Sequence, residues 1–359
     1  MKPSVKEYKR IVVKIGSSLF YAPDNTLDFN AFNEVAKQIA QLVKAEGKEI
    51  VVVSSGAIAL GMPLLGLKER PRELHDLQAA AAIGQNEVIN TYRSVFRQIG
   101  CHGAQVLLTW DDFNDRKRYL NAKNTLLALL RYATIPIINE NDTVSTDEIK
   151  FGDNDQLSAR VAGLISADIL IILSDVDGLL DQNKSVIRVV DKITPSIRAL
   201  ACPTAKKTCV GGMITKIEAA KIAVDSGIPC IIANGHKKDI ILSVLNEPGK
   251  HGTMFIPKKG LAARERWIAF GTKPKGKIIV DEGAKEALLN KKSLLSIGVT
   301  GVGGNFERGA IVALVAPSNL NIEFARGKVE ISSKQLEKIK GQRFGKEVMH
   351  CDNIVILSA

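Results

Sequence analysis

The sequence has few of the features that are typical of secreted proteins, membrane-spanning proteins or proteins with structural zinc sites. Its 359 residues include five cysteines, an odd number, which are widely scattered and form no CxxC pair. This usage is typical of a reducing compartment and argues against a structural zinc site. The longest apolar runs, such as 50–53 and 169–173, are much shorter than the ~20 residues of a bilayer-spanning helix. The opening residues MKPSVKEYKR contain no signal-peptide core, so we expect a cytoplasmic location and no membrane partner.

The two common nucleotide-binding fingerprints are also missing. No GxxxxGK[ST] loop occurs, and no GxGxxG follows a predicted strand, which excludes Walker-type and Rossmann-type phosphate loops. The five histidines are isolated, and no Ser/His/Asp or Cys/His arrangement stands out. We therefore expect each histidine to be a surface or packing residue and not a catalyst.

Length and charge indicate two domains. A compact domain usually fills about 100–200 residues, so this chain has room for two. Residues 1–257 carry 31 basic and 28 acidic side chains, whereas residues 258–359 carry 18 basic and 10 acidic ones. We predict a first domain over 1–257, a linker over 258–263 and a second domain over 264–359. The basic second domain suits either a polyanionic partner or a solvated, lysine-rich surface.

The first domain alternates short Val- and Ile-rich runs with longer amphipathic stretches. Continuous apolar strands separated by helices indicate an α/β fold, with a mostly parallel sheet sandwiched by helices. The predicted strands are 11–15, 50–53, 105–108, 135–138, 169–173 and 229–233, and the predicted helices are 28–45, 74–99, 120–132, 154–165 and 215–226.

The second domain has a different pattern of short runs and tight turns, which predicts a small, mainly β barrel. The predicted strands are 267–270, 277–280, 310–315 and 353–357, the predicted helices are 282–290 and 332–339, and the predicted turns contain Gly271, Gly301, Gly303, Gly304 and Gly309.

Chemistry-bearing residues follow several predicted strands, where ligands of a parallel sheet collect. Lys14 lies inside an apolar strand, so its ammonium either points into a cleft or reaches water from a sheet edge. Ser55 and Gly56 follow the next strand, where small residues let backbone N–H groups approach an anion. Such a pair also forms ordinary turns and helix caps.

Two further segments are more informative. Six carboxylates fall between Glu140 and Asp155, and interleaved asparagines add both donors and acceptors. We favour a ligand site there over a solvated acidic loop. The segment GGMITK (211–216) opens a predicted helix with a lysine in its first turn, where the helix dipole repels a cation. This predicts that Lys216 has an anionic partner from outside the chain, such as a phosphate.

Taken in order, these segments resemble the amino acid kinase family. The matching segments are VVKIGSS (12–18), VSSGAIALG (53–61), INENDTV (138–144), KFGDNDQLSA (150–159), LSDVDGL (173–179) and GGMITK (211–216). Residues 267–284 and 298–312 are similar to the PUA domain that many of these enzymes carry. The resemblance spans nearly the whole chain.

The resemblance implies transfer of the γ-phosphoryl group of ATP to the γ-carboxylate of L-glutamate, the first step of proline biosynthesis. It implies Mg²⁺ bound through the nucleotide phosphates, with no protein metal site. It also implies a homo-oligomer, either a dimer or a tetramer. Weak RNA binding is expected of the basic C-terminal domain.

By position, Lys14 and Lys216 are expected to stabilise the transferring phosphoryl group from opposite sides, with Asp155 holding both lysines in place. The residues expected to bind glutamate are Ser55, Gly56, Asp142 and Asn154, of which Asp142 suits the ammonium group. The residues expected to bind ATP are Lys14, Ser174, Asp175, Val210, Gly211, Gly212, Met213, Ile214, Thr215 and Lys216.

Three of these positions depart from the family pattern. Ser174, Val210 and Ile214 stand where Thr, Thr and Ser are usual, so the nucleotide contacts are expected to differ. Two alternatives stay open. One is a kinase of the same fold that acts on aspartate or N-acetylglutamate, and the other is an RNA-binding module on an inactive kinase scaffold.

Overall fold

The structure, a computed structural model, describes residues 8–22, 26–144, 153–201, 212–257, 263–271, 274–317, 319–343 and 347–357. The chain forms two compact units, of which the larger holds nearly all described residues up to 257 and the smaller those from 263 onward. The predicted linker lies, except for residue 263, outside the described residues, so its bounds stay a prediction. No helix in the described ranges is long and apolar enough to cross a bilayer.

The larger unit is built on one sheet. Its described strands are β1 (Arg10–Ile15), β2 (Glu49–Ser54), β3 (His102–Leu108), β4 (Thr134–Glu140), β5 (Ile169–Ser174), β6 (Val189–Val190), β7 (Cys230–Asn234) and β8 (Thr253–Phe255). They lie in the order β3-β4-β2-β1-β5-β7-β8-β6, and the strands pair in parallel except for β7 with β8. Strands β1, β2 and β5 are buried along nearly their whole length, as expected of a sheet covered on both faces. The predicted α/β fold is confirmed.

Helices connect these strands. Those of the larger unit are α1 (Asn30–Glu46), α2 (Ala57–Leu64), α3 (Leu74–Ile99), α4 (Trp110–Asn114), α5 (Arg116–Arg131), α6 (Asp153–Ile165), α7 (Pro195–Ala199), α8 (Met213–Asp225) and α9 (Ile240–Asn246). Helices α2 and α3 approach unusually closely, because a Cβ atom at Gly61 would lie 1.8 Å from the Ala80 carbonyl oxygen, and one at Gly84 would lie 1.8 Å from that of Ala57. Only glycine permits this backbone contact.

The smaller unit is mainly β, as predicted. Its described elements are α10 (Ala263–Arg266), β9 (Gly276–Val280), α11 (Glu282–Leu289), β10 (Leu294–Leu295), β11 (Val299–Gly304), β12 (Ile311–Ala316), β13 (Asn319–Lys328), α12 (Ser333–Ile339), β14 (Glu347–Met349) and β15 (Ile354–Ile356). Five strands form a sheet in the order β11-β9-β12-β13-β15, and β10 pairs with β14. Ile278, Val312 and Leu314 contribute to a core of their own.

Two local predictions in this unit are wrong. The predicted strand 267–270 is a π-helix, Trp267–Gly271, in which Ile268 and Ala269 are buried. An apolar run this short shows no period that separates a strand from a helical turn. The predicted turns at 301 and 303–304 belong to β11 instead. A Cβ atom at Gly301 would lie 2.9 Å from Ile279 Cδ1, so glycine lets β9 side chains lie across the strand.

Candidate active site

Lys14 occupies the centre of the sheet. It lies in β1 between Val53 of β2 and Ile172 of β5, and its exposed fraction is 5%. The alternative of an edge lysine that reaches water is therefore wrong. A lysine in this position needs an anionic partner, because an ammonium group that leaves water unpaired is costly.

Asp155 is that partner, and it serves a second lysine as well. It lies in the first turn of α6 and is fully buried. Its Oδ1 atom lies 2.8 Å from Lys14 Nζ, and its Oδ2 atom lies 3.3 Å from Lys216 Nζ. The Thr215 hydroxyl donates a 2.8 Å hydrogen bond to the same Oδ2 atom. The predicted grouping of Lys14, Asp155 and Lys216 is thus present in the structure.

The electrostatics of this trio favour an anion. Burial lowers the pKa of Lys14, with the charge of Lys216 acting in the same direction, although Asp155 and the exposed Asp175 oppose the shift. Burial alone would raise the pKa of Asp155, but the two ammonium groups and the Thr215 hydroxyl hold it below its ordinary value. Two buried ammonium groups face one buried carboxylate, so the trio carries one positive charge in excess.

The start of α8 adds backbone donors to the same region. Gly212 precedes the helix with a φ of 77°, a left-handed value that favours glycine, and no side chain caps the first turn. The first N–H groups of a helix attract anions. Lys216 is largely buried, with an exposed fraction of 8%. The sequence predicted an anionic partner for Lys216 from outside the chain, but the chain itself already supplies one in Asp155.

The other described residues predicted to bind ATP lie at the carboxyl end of β5 and at the start of α8. The Ser174 hydroxyl donates to Asp175 Oδ1 at 2.8 Å at the carboxyl end of β5. Met213 and Ile214 are half-buried at the start of α8, next to Thr215. Val210 and Gly211 lie outside the described residues.

The residues predicted to bind glutamate follow β2 and β4. The Ser55 N–H donates to the Ile15 carbonyl at 3.0 Å, which ties the ends of β1 and β2 together. Gly56 has a φ of 105°, and a Cβ atom there would lie 2.5 Å from the Phe20 ring. Only glycine fits this turn, because any side chain would collide with the Phe20 ring. The close contact with Phe20 therefore fixes the backbone of Gly56 just before α2.

Asp142 and Asn154 lie on the segments that flank the undescribed residues 145–152. Asp142 is half-buried in the turn after β4 and interacts electrostatically with Arg70. Burial lowers the pKa of Arg70, and Asp142 opposes that shift. Of the six carboxylates, Asp147 and Glu148 lie outside the described residues, and Glu140 is buried.

A chain of three amides, which we call the amide relay, links Asn154 to the interior. The Asn154 amide nitrogen donates to Asn139 Oδ1 at 3.0 Å, and the Asn139 amide nitrogen donates to Gln85 Oε1 at 2.6 Å. Gln85 is not among the residues predicted from the sequence. The signal that could have identified it is its place on the apolar face of α3, four residues after Ala81 and three before Val88. Asn139 is the next-to-last residue of β4 and begins the polar run that follows the predicted strand 135–138.

Comparison with known proteins agrees with this geometry. The amino acid kinase family matches residues 9–234, and the PUA domain matches residues 276–351. A glutamate 5-kinase of Thermoanaerobacter sp. (strain X514) is 44% identical over 367 residues, which cover 97% of this chain and 98% of that enzyme. A glutamate 5-kinase of Burkholderia multivorans is 44% identical over 376 residues, which cover 99% of this chain and all of that enzyme.

Among solved structures, the N-acetylglutamate synthase of Neisseria gonorrhoeae shares the fold at a TM-score of 0.52 and 16% identity. The match covers 70% of this chain and 60% of that one, and it bears on the fold alone. The two family matches and the near-complete coverage of the enzymes decide the classification. The chain belongs to the amino acid kinase family, within it to the glutamate 5-kinases, and carries a PUA domain that follows the kinase domain in the sequence.

Proposed function

We propose that this protein transfers the γ-phosphoryl group of ATP to the γ-carboxylate of L-glutamate, which yields ADP and L-glutamyl 5-phosphate, the first step of proline biosynthesis. The observation that carries the proposal is the pair of buried ammonium groups, Lys14 and Lys216, on the two oxygens of Asp155. The full-length similarity to glutamate 5-kinases supports the choice of glutamate.

The reaction joins two anions, so its main obstacle is charge repulsion. A γ-carboxylate oxygen attacks the γ-phosphorus, and the bond from that phosphorus to the β,γ-bridging oxygen breaks as ADP leaves. Bond formation and bond breaking both proceed without a proton transfer, which agrees with the set of two lysines and one aspartate that the structure brings together. Fixed ammonium groups in a water-excluded site stabilise the charge that spreads over the transferring group. Asp155 holds both at a set spacing, so little reorganisation is needed during transfer.

The residues fit a nucleotide that brings Mg²⁺ with it. Both Asp155 oxygens already face lysines, so this carboxylate is not free to ligate a metal. Lys14, Lys216 and the N–H groups at the start of α8 would hold the phosphates of the metal–nucleotide complex. Bound Mg²⁺ would neutralise part of the phosphate charge. Ser174 and Asp175 would line the nucleotide pocket, as would Val210 and Gly211, which the structure does not describe.

The glutamate site would lie on the opposite side of Lys14, after β2 and β4. Asp142 would pair with the substrate ammonium, and Asn154 would offer its amide to the same end of the molecule. Ser55 and the backbone of Gly56 would bind a carboxylate. A site that needs a charged amino group would exclude N-acetylglutamate and discriminate against this alternative substrate.

The experiment is hydroxamate formation with ATP, Mg²⁺, hydroxylamine and one acceptor at a time. An acyl phosphate reacts with hydroxylamine, so product reports the activated carboxylate. We expect product with L-glutamate, little with L-aspartate and none with N-acetyl-L-glutamate or without ATP. A folded sample that gives no product with glutamate would contradict the proposal.

We also propose a homo-oligomer and weak RNA binding by the smaller unit. Among the described strands of the sheet, β3 lies at an edge, and its residue Leu107 is exposed, which supports a contact between two copies of the chain.

The PUA match and the excess of basic residues in 258–359 support RNA binding. RNA affinity should fall with salt by about 0.7 log units per neutralised phosphate for each log unit of salt. The described cysteines Cys101, Cys230 and Cys351 are free thiols, which suits the cytoplasmic location we propose.

A further inference from the structure

The amide relay has a single permitted orientation, which one backbone group sets. The Glu140 N–H donates to Asn139 Oδ1 at 2.9 Å. A flipped Asn139 amide would place two donors face to face at this contact, so Oδ1 has to stay where it is. Asn139 Nδ2 then faces Gln85 and donates to its Oε1 atom. The orientation of the Gln85 and Asn154 amides follows from that of Asn139.

The two ends of the amide relay are buried polar atoms without partners among the described residues. They are Gln85 Nε2, a donor, and Asn154 Oδ1, an acceptor. The exposed fraction of Gln85 is 9%. Leaving a buried polar group unpaired is costly, so a glutamine kept here is not explained by stability alone. An acceptor held free at Asn154 is what a substrate ammonium group requires.

From this geometry we infer that Gln85, acting through Asn139, is a positioning residue that holds the Asn154 carbonyl oxygen ready to accept a hydrogen bond from the amino group of the substrate. The inference rests on the proposed function, which places Asn154 in the glutamate site. It adds Gln85 and Asn139 to the residues that shape that site. Without Gln85, the Glu140 N–H still sets which way the Asn139 amide faces, but Asn139 loses the hydrogen bond that fixes its position. The hydrogen bond from Asn154 to Asn139 then loosens, and the Asn154 carbonyl oxygen is no longer held in place.

The test compares Gln85→Leu with a matched control, Gln38→Leu, in the full-length protein. Gln38 is also a buried glutamine of the larger unit, and its Oε1 atom accepts a 3.0 Å hydrogen bond from the Ile241 N–H. Both variants make the same chemical change at similar burial. Hydrogen bonds to charged groups contribute about 1.5–3 kcal/mol, so we expect Gln85→Leu to raise the KM for glutamate at least about tenfold. Its kcat and its KM for ATP should stay within about twofold, as expected when only uniform substrate binding is lost.

Gln38→Leu should lower the Tm and leave both KM values unchanged. A rescue variant, Gln85→Glu, keeps an acceptor for Asn139 Nδ2, and burial favours its neutral form. We expect its KM for glutamate to stay within about threefold of the wild-type value, and this variant still decides the question if Gln85→Leu does not fold. Thermal shifts on adding glutamate give a second readout of binding.

An active wild type with an unchanged glutamate KM in Gln85→Leu would overturn the inference and leave the proposed function intact. A parallel rise in both KM values would also overturn it, because it would indicate a general structural defect. A tenfold rise in the KM for glutamate in Gln85→Glu would show that an acceptor for Asn139 Nδ2 is not sufficient, and this result would also contradict the inference. A folded wild type without glutamate-dependent product would instead contradict the proposed function and, with it, the inference.

Discussion

Replacing Asp155 by asparagine removes the carboxylate that two buried lysines share, and it should be among the most damaging single changes in the chain. Lys14 and Lys216 lie 2.8 Å and 3.3 Å from its two oxygens, and all three groups are nearly inaccessible to water. Removing one partner of a buried ion pair costs about 3–5 kcal/mol, because the remaining charge has no compensation. For a domain of this size, that corresponds to roughly 6–20 °C in the Tm of the larger unit.

The pH dependence of the loss identifies its cause. In the variant, Lys14 loses the carboxylate that opposes the effect of its burial, so its pKa in the folded chain lies further below that in the unfolded chain. Between those two values the unfolded chain binds more protons, so stability rises with pH across that window. The deficit against the wild type should therefore be largest near neutral pH and smaller at about pH 10.

Thermal unfolding at both pH values measures the effect, with Asp177→Asn as the matched control. Asp177 also pairs with a lysine, since its Oδ1 atom lies 2.7 Å from Lys237 Nζ, but both side chains are about half exposed. An exposed pair contributes about 0–1 kcal/mol, so the control should lose little stability. Equal losses in the two variants, or a deficit at Asp155 that does not change with pH, would refute the reasoning.

Three further predictions concern packing, titration and the substrate. Gly84→Ala should lower stability by about 1–3 kcal/mol, because its methyl group would collide with the Ala57 carbonyl. A methyl group at Gly163 in α6 would lie 3.9 Å from Ser226 Oγ, an ordinary contact, so Gly163→Ala should be neutral or slightly stabilising in the same denaturation experiment. The alkaline limb of the pH profile of kcat/KM should begin below pH 10.5, since burial lowers the pKa of Lys14 and its neutral form no longer stabilises the phosphoryl group; a profile flat up to that pH would contradict this. Asp142→Ala should raise the KM for glutamate at least about tenfold and leave the KM for ATP unchanged, and an unaltered glutamate KM would remove this residue from the substrate site.

The sequence predicted the α/β layering well, because parallel strands buried on both faces are apolar along their whole length. The same reasoning identified Lys14, since a lysine in such a strand is unusual. That Lys14 occupies the central strand depends on strand order. The grouping of Asp155 with Lys14 and Lys216, which only the family resemblance implied, depends on contacts between distant segments. Residue patterns alone contain neither.

The elements and residues that the sequence did not predict correctly are those with a short or weak sequence signal. The π-helix at Trp267–Gly271 is too brief to show a period, and β11 is rich in glycine because side chains of β9 lie across it. Gln85 is a polar residue on the apolar face of α3, where the surrounding apolar residues show only that the face is buried. Its part in the amide relay becomes visible only once α3, β4 and the start of α6 are placed together.

The most direct test of the account is the kcat for γ-glutamyl hydroxamate formation by Lys14→Met and Lys216→Met. Lys221→Met is the control, because Lys221 lies on α8 as well but pairs with Asp225 at 2.6 Å. Loss of one preorganised donor at a transition-state charge typically costs about 100- to 1,000-fold in kcat. We predict a loss of this size in both site variants and a near-normal rate in the control. A kcat within about tenfold of wild type in either folded site variant would contradict the claim that the two lysines carry the transfer.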